Sequence, residues 1–532
     1  MGIPSYFSFI VKNHANIIKK LKFTSINVNN LYLDCNSIIY DVVHNTDFTK
    51  ITGSESDIII KAVCVKIDSY INDLKPDNTI YIAFDGVAPI AKLEQQRSRR
   101  YKSLYQNNIT RSIFKTITAD PWNTTAITPG TVFMKNLNET ISSNYSNPTK
   151  YNVLKIIVSG SDNYGEGEHK LFEHIRNFPE MHKETNTIIY GLDADLIMLS
   201  INHLPITNKL YLYRETPHFI QSINSELEPN EKYIMDIPEL ARIITLNMNN
   251  GEELTTEQQK NRIYDYIFLC FFLGNDFMPH FPAINIRTGG IDKMINAYKA
   301  TIGGTNENLT DGKKIYWKNV RKLVQFLADN EVDFFKNEMK FRDKKEKNLM
   351  PDITPEDKFK KFEAIPMYER SREKFINPFK ENWQIRYYKT LFNIDIDETR
   401  RKQICINYLS GLEWNMKYYT SGCPDWRWNY NYNYPPLLCD LILYIPYFDT
   451  SFIGRSPPNP VSELVQLCYV LPKQSLQFLP DKLYKNLMKT HSDWYDTECG
   501  FIWAYCRYFW EAHVELPHID IYELEEFVKN NK

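Results

Sequence analysis

The sequence lacks the paired cysteines of a zinc ribbon or a disulfide framework. Its nine cysteines are all isolated, and none belongs to a Cys-x-x-Cys pair. Isolated thiols are typical of a protein in a reducing compartment. The N-terminus also lacks a charged region followed by a long apolar stretch, so we expect no signal peptide.

Long apolar runs and a strong net charge are also missing. The longest apolar runs, such as YIFLCFFLG (266–274), are far shorter than the ~20 residues that cross a bilayer. We therefore expect no membrane span. A net charge of -2 excludes a uniformly basic nucleic-acid coat protein, but it leaves room for a local basic groove.

The composition is that of a large folded protein. The chain has 532 residues, of which 43% are hydrophobic and 24% charged, and this length favours about three or four domain-sized units. Aromatic residues make up 14%, enough for large cores or for stacking surfaces. The abundance of Lys, Asn, Ile and Tyr is typical of an A/T-rich genome, which is compatible with a viral or protist source.

Apolar runs alternate with helical stretches over the first ~300 residues. The predicted strands are NLYLDCN (30–36), TIYIAFDG (79–86), YNVLKIIVSG (151–160), NTIIYGLDADLIML (186–199) and KLYLYRE (209–215). This alternation predicts an α/β fold with a mixed, mainly parallel sheet flanked by helices. Ligand sites of such sheets lie at the carboxyl ends of the strands.

The pattern changes after the first 305 residues, and we expect three parts: 1–305, 306–400 and 401–532. Gly, Asn and Asp predict a loop at 303–314, and the charged, Pro-containing segment 342–363 predicts an exposed or mobile connector. The part after ~400 is mostly helical in pattern. It contains an aromatic segment, SGCPDWRWNYNYNYPPLLCDL (421–441).

Carboxylates follow five apolar runs, each at an expected strand end. They are Asp34, Asp85, Glu166, Glu168, Asp193, Asp195 and Asp276. A single Asp after a strand is most often a helix cap or a turn former, but five recurrences at one sheet edge favour a shared site. Like charges at close range disfavour ionisation unless divalent cations bind, and an oxygen-only ligand set indicates Mg²⁺ or Mn²⁺. We expect two ions ~3.5–4 Å apart, as in phosphodiester hydrolysis.

A basic stretch follows Asp85 in AFDGVAPIAKLEQQRSRRYK (83–102). Pro89 suits the first turn of a helix, and on that helix one face would carry Lys92, Gln96, Arg99 and Arg100. Arg97 would point away, into solvent. Beside a metal site this face predicts a phosphate pocket, since Arg binds phosphate in bidentate fashion; a solvated basic helix is the alternative.

These motifs together resemble the XRN family of 5′-to-3′ exoribonucleases, in the compact form of its catalytic core. The first conserved region of that family is similar to MGIPSYF, LYLDCNSIIY, FDGVAPIAKLEQQRSRRY, GEGEHK, GLDADLIML and FLGNDFMPHFP, in that order. The second is similar to YLSGLEWNMKYYTSGCPDWRWNYNYNYPPLLCDL, ELVQLCYVLPKQSLQFLP and FWEAHVELPHID. The resemblance covers nearly the whole chain.

The resemblance implies an enzyme and a mechanism. The seven carboxylates would hold the catalytic metals, and the basic face would bind the 5′-monophosphate of single-stranded RNA. The enzyme would release 5′-mononucleotides processively in RNA or mRNA decay, with water as the nucleophile. The resemblance leaves open whether decapping enzymes supply the substrate.

Two positions depart from the family pattern. Tyr40 stands where the family usually has a His that stacks on the first base, and a Tyr ring can also stack. Tyr164 replaces a Pro just before GEGEHK, so we expect a looser loop. The second stacking partner would be Trp426 or Trp428, unless these rings are core. His169 and Lys170 would contact phosphate or support the site.

Other functions stay open at this point. A structure-specific DNA nuclease would share the acidic site, but the second conserved region disfavours it. A catalytically silent RNA-binding scaffold predicts eroded acids or an eroded pocket, and all eleven residues are present. We expect a monomer in the cytoplasm, since no strong basic localisation cluster is visible.

Overall fold

One seven-stranded sheet organises the first half of the chain. The computed structural model describes residues 3–48, 53–115, 122–348, 350–454 and 459–531. The strands of this sheet are β1 (Ile18–Lys20), β2 (Asn30–Asp34), β3 (Thr79–Ala83), β4 (Lys155–Ser159), β5 (Thr187–Tyr190), β6 (Leu210–Glu215) and β7 (Lys232–Asp236).

The sheet is mixed and mainly parallel. Its strand order is β1-β7-β6-β5-β2-β3-β4, and the five strands from β6 to β4 run parallel to one another. Strand β7 is antiparallel to both β6 and β1. Strand β2 lies between β3 and β5, with Asn30 opposite Thr79 on one side and Thr187 on the other.

Both faces of the sheet are covered by apolar side chains. On β2, Leu31 and Leu33 pack into one hydrophobic cluster, while Tyr32 packs into the other on the opposite face. A strand buried on both faces needs an unbroken apolar run, which explains why the strands were recognisable in the sequence.

Eleven helices accompany the sheet among the described residues up to 301. They are α1 (Tyr6–Asn13), α2 (Asn36–Asn45), α3 (Glu55–Leu74), α4 (Ile90–Phe114), α5 (Val132–Asn144), α6 (Gly167–Asn177), α7 (Pro179–Lys183), α8 (Asp195–His203), α9 (Ile237–Met248), α10 (Thr256–Phe271) and α11 (Gly290–Thr301). Helix α4 starts directly after Pro89, as predicted.

The rest of the chain is mostly helical. Its helices are α12 (Trp317–Asp329), α13 (Glu331–Glu346), α14 (Pro355–Glu363), α15 (Ser371–Ile376), α16 (Trp383–Leu391), α17 (Glu398–Thr420), α18 (Leu438–Tyr444), α19 (Glu463–Val470), α20 (Asp481–Thr490) and α21 (Ile521–Asn531). A two-stranded sheet joins β8 (Gly500–Ile502) to β9 (His513–Glu515). None of the helices in the described parts is long and apolar enough to cross a membrane.

The predicted fold class is therefore confirmed, with three local corrections. Strands β1 and β7 were missed; β1 is only three residues long and includes Lys19 and Lys20. The run at 186–199 is not one strand, because β5 ends at Tyr190 and α8 begins at Asp195. The apolar run before Asp276 is the end of helix α10, not a strand.

The helical region packs directly on the α/β region. Helix α17 contacts α8 and α10, and α19 contacts α4, where Leu93 joins Leu467 in one apolar cluster. These contacts place residues of α17 and of the C-terminal segment next to the carboxyl ends of the strands. The division of the chain at 305 and 400 stays a prediction.

The expected connector at 342–363 is largely exposed but partly helical. Its first residue, Arg342, is buried in α13 and makes two hydrogen bonds to Glu373, at 2.9 and 2.8 Å. Helix α14 contacts α4. The charged segment is thus attached to the body of the protein at both of its ends.

Candidate active site

Carboxylates from separate elements meet at one edge of the sheet. Asp34 is the last residue of β2, and Asp85 follows β3 by two residues. Glu168 lies in the first turn of α6 and Asp195 begins α8, so both stand at the positive end of a helix dipole. Because β2, β3 and β5 are adjacent and parallel, their carboxyl ends bring these acids together.

Gly167 allows this close approach. A Cβ atom at position 167 would lie 2.7 Å from Oδ1 of Asp34 and 3.4 Å from Oδ1 of Asp85. The backbone N–H of Gly167 also donates a 2.6 Å hydrogen bond to Oδ1 of Asp85. Any larger residue would displace the carboxylates, so the GEGEHK motif needs glycine between its two glutamates.

Mutual repulsion among the carboxylates contributes to upward shifts in the pKa values of several of them. Burial raises the pKa of Asp34 well above its ordinary value, and the charges of Asp85, Asp193 and Glu166 raise it further. Burial likewise raises the pKa of Asp195 to about 6, with Asp276 adding to the effect.

Glu168 completes this connected set. Burial raises its pKa well above the ordinary value, and Asp195 and Glu166 are the main charges that add to the shift. These charge interactions connect all seven predicted carboxylates into one set, of which Asp34, Glu166, Glu168 and Asp195 are buried.

Lys92 lies inside this cluster. Its Nζ is 2.5 Å from Oε2 of Glu166 and 2.8 Å from Oδ2 of Asp276. Burial alone would lower the pKa of Lys92, but the charges of the surrounding acids together outweigh burial and raise it well above its ordinary value; they are Asp276, Glu166, Glu168 and Asp195. This single ammonium group offsets only part of the negative charge of seven acids.

The donor set fits a hard divalent cation. Oδ1 of Asp34 and Oε2 of Glu168 are buried and have no hydrogen-bond partner. One ligand atom each from Glu166, Glu168 and His169 lies within 4.8 Å of the others. Buried carboxylate oxygens without a donor are the ligands that Mg²⁺ and Mn²⁺ prefer. The residues present therefore suit such a metal.

The predicted phosphate face of α4 carries polar atoms that lack partners. Oε1 of Gln96 and Nη1 of Arg100 are buried without a hydrogen bond, while Nη2 of Arg100 donates to Oγ1 of Thr128 at 2.6 Å. Burial lowers the pKa of Arg100 to about 10, and the nearby Tyr40 opposes that effect. A bound anion would accept a hydrogen bond from Nη1 of Arg100, whereas Oε1 of Gln96 is itself an acceptor and needs a donor.

Arg97 is not solvated, so that expectation was wrong. Its side chain is only 3% exposed. Its Nη1 donates to the carbonyl of Pro517 at 2.9 Å, and its Nη2 donates to the carbonyl of Trp494 at 3.0 Å. The C-terminal segment covers the helix face that the sequence alone assigns to solvent, and Arg97 attaches that segment to α4.

The aromatic candidates differ in exposure. Trp428 is buried, with its ring stacked on Trp414 at 5.1 Å and its Nε1 donating to Ser410. Trp426 is half-buried and makes an edge contact with the exposed ring of Tyr164 at 6.3 Å. Of the two tryptophans, Trp426 is therefore better placed to meet a base.

Tyr40 and the loop of Tyr164 complete this region. Tyr40, in α2, is 40% exposed and lies close enough to Arg100 to raise the pKa of that guanidinium group. Two backbone hydrogen bonds attach the loop of Tyr164 to the end of β3: Gly86 donates to the carbonyl of Gly165, and Gly165 donates to that of Val87, each at 2.8 Å. A looser loop stays a prediction.

Several supporting residues were missed by the sequence reading. The hydroxyls of Tyr418 and Tyr419, at the end of α17, donate to Glu166 and Asp195 at 2.8 and 2.9 Å. Asn36 donates to Oδ2 of Asp85 at 2.7 Å. The sequence shows these tyrosines only as an adjacent pair in KYYTSG. No neighbouring residue in the sequence indicates that they contact the acids.

His169 and Lys170 have supporting contacts. Nζ of Lys170 donates to the carbonyls of Phe84 and Gly160, at 2.7 and 2.8 Å, and so joins the ends of β3 and β4. The ring of His169 stacks on Tyr418 at 3.8 Å, and burial lowers its pKa well below the ordinary value. A neutral imidazole beside the glutamates is suited to metal ligation rather than to phosphate binding.

Two family models match the chain. The model described as "XRN 5'-3' exonuclease N-terminus" matches residues 1–216, and the "Xrn1 helical domain" matches residues 257–375 and 372–531. Together they extend over both the sheet and the helical region.

Curated proteins with related sequences carry matching names. The 5'-3' exoribonuclease 2 of Gallus gallus is 26% identical over 98% of this chain and 69% of its own length. The 5'-3' exoribonuclease 1 of Saccharomyces cerevisiae is 26% identical over 98% of this chain, which spans 42% of that protein. The 5'-3' exoribonuclease 2 of Kluyveromyces lactis is 30% identical over 63% of this chain and 40% of its own length.

Proposed function

Since the chain belongs to the XRN family of 5′-to-3′ exoribonucleases, we propose that it removes nucleotides one at a time from the 5′ end of single-stranded RNA that carries a 5′-monophosphate. The proposal depends above all on one observation. A cluster of seven carboxylates, of which Asp34, Glu166, Glu168 and Asp195 are buried, stands beside a basic helix face on which Gln96 and Arg100 have unsatisfied polar atoms.

The carboxylates provide the hydrolytic site. The cations held by Asp34, Glu166, Glu168 and the other acids would supply a metal-activated water and neutralise the leaving oxygen. The protein's own contribution is to keep those oxygens close together and oriented. Tyr418 and Tyr419 fix Glu166 and Asp195, and Asn36 and Gly167 fix the two oxygens of Asp85.

The basic helix face selects the substrate's 5′ end. One terminal phosphate would accept hydrogen bonds from the guanidinium groups of Arg99 and Arg100 and from the side-chain amide N–H of Gln96. Burial of Arg100 strengthens its interaction with the phosphate. By resemblance to the family, a narrow pocket formed by these residues would exclude a cap or a triphosphate. Tyr40 and Trp426 would then stack on the bases that follow.

The alternatives are less well supported. A silent RNA-binding scaffold does not require a repulsive cluster of buried carboxylates with unpartnered oxygens. A structure-specific DNA nuclease does not account for the helical region, from which Tyr418 reaches the acids. A cytoplasmic location and a monomeric state remain our predictions.

The experiment that tests the function uses one RNA with three 5′ ends: monophosphate, triphosphate and hydroxyl. Each RNA is labelled at its 3′ end and incubated with the protein, with Mg²⁺ or with EDTA. We expect stepwise loss from the 5′ side only with the monophosphate and only with the metal.

The controls separate chemistry from folding. An Asp193→Ala/Asp195→Ala variant should bind the RNA but not degrade it. An Asp395→Ala variant should match the parent, since the Asp395 side chain is 86% exposed and distant in sequence from every acid of the cluster. Equal binding of all three RNAs without degradation by the parent would favour the scaffold.

A further inference from the structure

A cavity of about 740 Å³ borders the face of α4 that is adjacent to the phosphate face. Its wall on α4 includes Gln95, Ser98 and Lys102, whose spacing of three and four residues places them on one face of the helix. Lys92, Gln96 and Arg100, which form the neighbouring face, do not line it. Arg99 stands at the border between the two faces and does line the cavity.

The cavity connects the acidic cluster to solvent. The loop that carries Asp276 forms part of its wall. Four other lining residues are exposed, so the cavity reaches the surface at Asn431, Asn433, Glu515 and His518. The aromatic pair of Tyr164 and Trp426 does not line this cavity.

Arg99 is the basic group that remains available in this cavity. Lys102 donates to the carbonyl of Trp510 at 3.0 Å, Arg287 is paired with Glu511, and Arg97 is held by two carbonyls. Within the described residues Arg99 makes no hydrogen bond or ion pair, and it acts on Asp276 only through its charge.

The remaining lining suits a nucleotide of any base. Tyr432 and Trp510 contribute aromatic rings to the lining, and Asn429, Asn431 and Asn433 contribute amides. Stacking on aromatic rings tolerates every base, and the volume is typical of a small-molecule site.

We propose that this exit cavity receives the nucleoside 5′-monophosphate after each cleavage, so that the product leaves while RNA still fills the entrance. The proposal rests on the proposed function. Hydrolysis between the first and second nucleotides leaves the original 5′-phosphate on the product. The group that Arg99 holds before cleavage therefore departs with the nucleotide, and Arg99 already faces the cavity.

The test fills the cavity without changing the catalytic residues. Ser98→Phe places a ring in the cavity, and Ser103→Phe places the same ring on an exposed position of the same helix. On 5′-monophosphorylated RNA we expect the first cleavage in a single turnover to match the parent. The steady-state rate of Ser98→Phe should fall about tenfold or more, because product release becomes limiting, while Ser103→Phe keeps both rates.

The outcomes separate the two proposals. If the parent degrades no RNA, the proposed function fails. If the parent is active but the two variants keep the same steady-state rate, or if Ser98→Phe loses both rates equally, the exit cavity is wrong. If Ser98→Phe does not fold, AMP inhibition of the parent decides: AMP should lower the rate at saturating RNA, and purely competitive inhibition would overturn the proposal.

Discussion

The hydroxyl of Tyr418 donates a hydrogen bond of 2.8 Å to Oε1 of Glu166, although 252 positions separate the two residues. Burial raises the pKa of Tyr418 well above its ordinary value, so the hydroxyl remains a donor. Tyr419 donates to Asp195 in the same way. The helical region therefore orients two carboxylates that the α/β region supplies.

The first prediction removes that donor. Tyr418→Phe should keep the ring contacts with His169 and Trp414 but leave Oε1 of Glu166 without its partner. Outer-shell partners of metal ligands are typically worth 10–100-fold in metal affinity or activity. We expect the Mg²⁺ concentration for half-maximal RNA degradation to rise by about tenfold, measured in a metal titration.

A matched control is Tyr387→Phe. Tyr387 is also fully buried and donates to a backbone carbonyl, that of Pro435, but it does not contact a carboxylate of the site. It should lower stability slightly and leave the metal requirement unchanged. An unchanged requirement in Tyr418→Phe would mean that Glu166 is oriented without the tyrosine.

How much of the site can be predicted from the sequence depends on how far apart in the chain the contacting residues lie. Asp34 and Asp85 were predictable because each follows an apolar run, and parallel strands bring such ends together. The partners of Glu166 and Asp195 were not, because they depend on how α17 packs on α8.

Arg97 is a second residue whose surroundings could not be predicted from the sequence. Helix periodicity gave its direction on α4 correctly, but it could not reveal that residues 494 and 517 cover that direction. Of the missed strands, β1 is a three-residue edge strand, while β7 has five residues and pairs with both β6 and β1.

The second prediction distinguishes the two tryptophans. Trp426→Ala should weaken binding of 5′-monophosphorylated RNA by about 1–3 kcal/mol, the loss of one stacked base, and leave thermal unfolding nearly unchanged. Trp428→Ala should destabilise the fold by about 3–5 kcal/mol, because its ring fills a core position against Trp414. Fluorescence-anisotropy binding and thermal unfolding of both variants measure the contrast, and the opposite pattern would assign the stack to Trp428.

The third prediction separates two arginines three positions apart on α4. Arg100→Met should raise the KM for 5′-monophosphorylated RNA by roughly 10-fold or more, since a charge-assisted hydrogen bond is worth about 1.5–3 kcal/mol. Arg97→Met should leave that KM within about twofold and instead lower the unfolding free energy.

The reason lies in the partners of Arg97. Its removal orphans the carbonyls of Trp494 and Pro517, at about 1–3 kcal/mol for each buried group. Steady-state kinetics and chemical denaturation of the same two preparations provide the comparison. A large KM effect in Arg97→Met with normal stability would mean that Arg97 also reaches the phosphate.

The fourth prediction concerns pH and a carboxyl outside the site. Asp265 is buried in α10, and burial raises its pKa from 3.8 to about 7, even though Tyr298, Leu309 and Thr310 donate hydrogen bonds to it. Between those two pH values the folded protein keeps a proton that the unfolded chain has released. The stability contributed by Asp265 is therefore fully present below about pH 4 and is lost as the pH rises toward 7.

Replacing Asp265 isolates this contribution. Asp265→Asn has no carboxyl to titrate, so its unfolding free energy should fall less steeply than that of the parent between pH 4 and 7. Asp395→Asn, at an exposed carboxyl, should keep the parent's slope. Urea unfolding at several pH values measures all three proteins, and identical slopes in the parent and Asp265→Asn would show that Asp265 is already ionised in the folded state. Because the donors from Leu309 and Thr310 come from the loop after α11, a retained charge would also mean that this loop stabilises the carboxylate more strongly than burial opposes it.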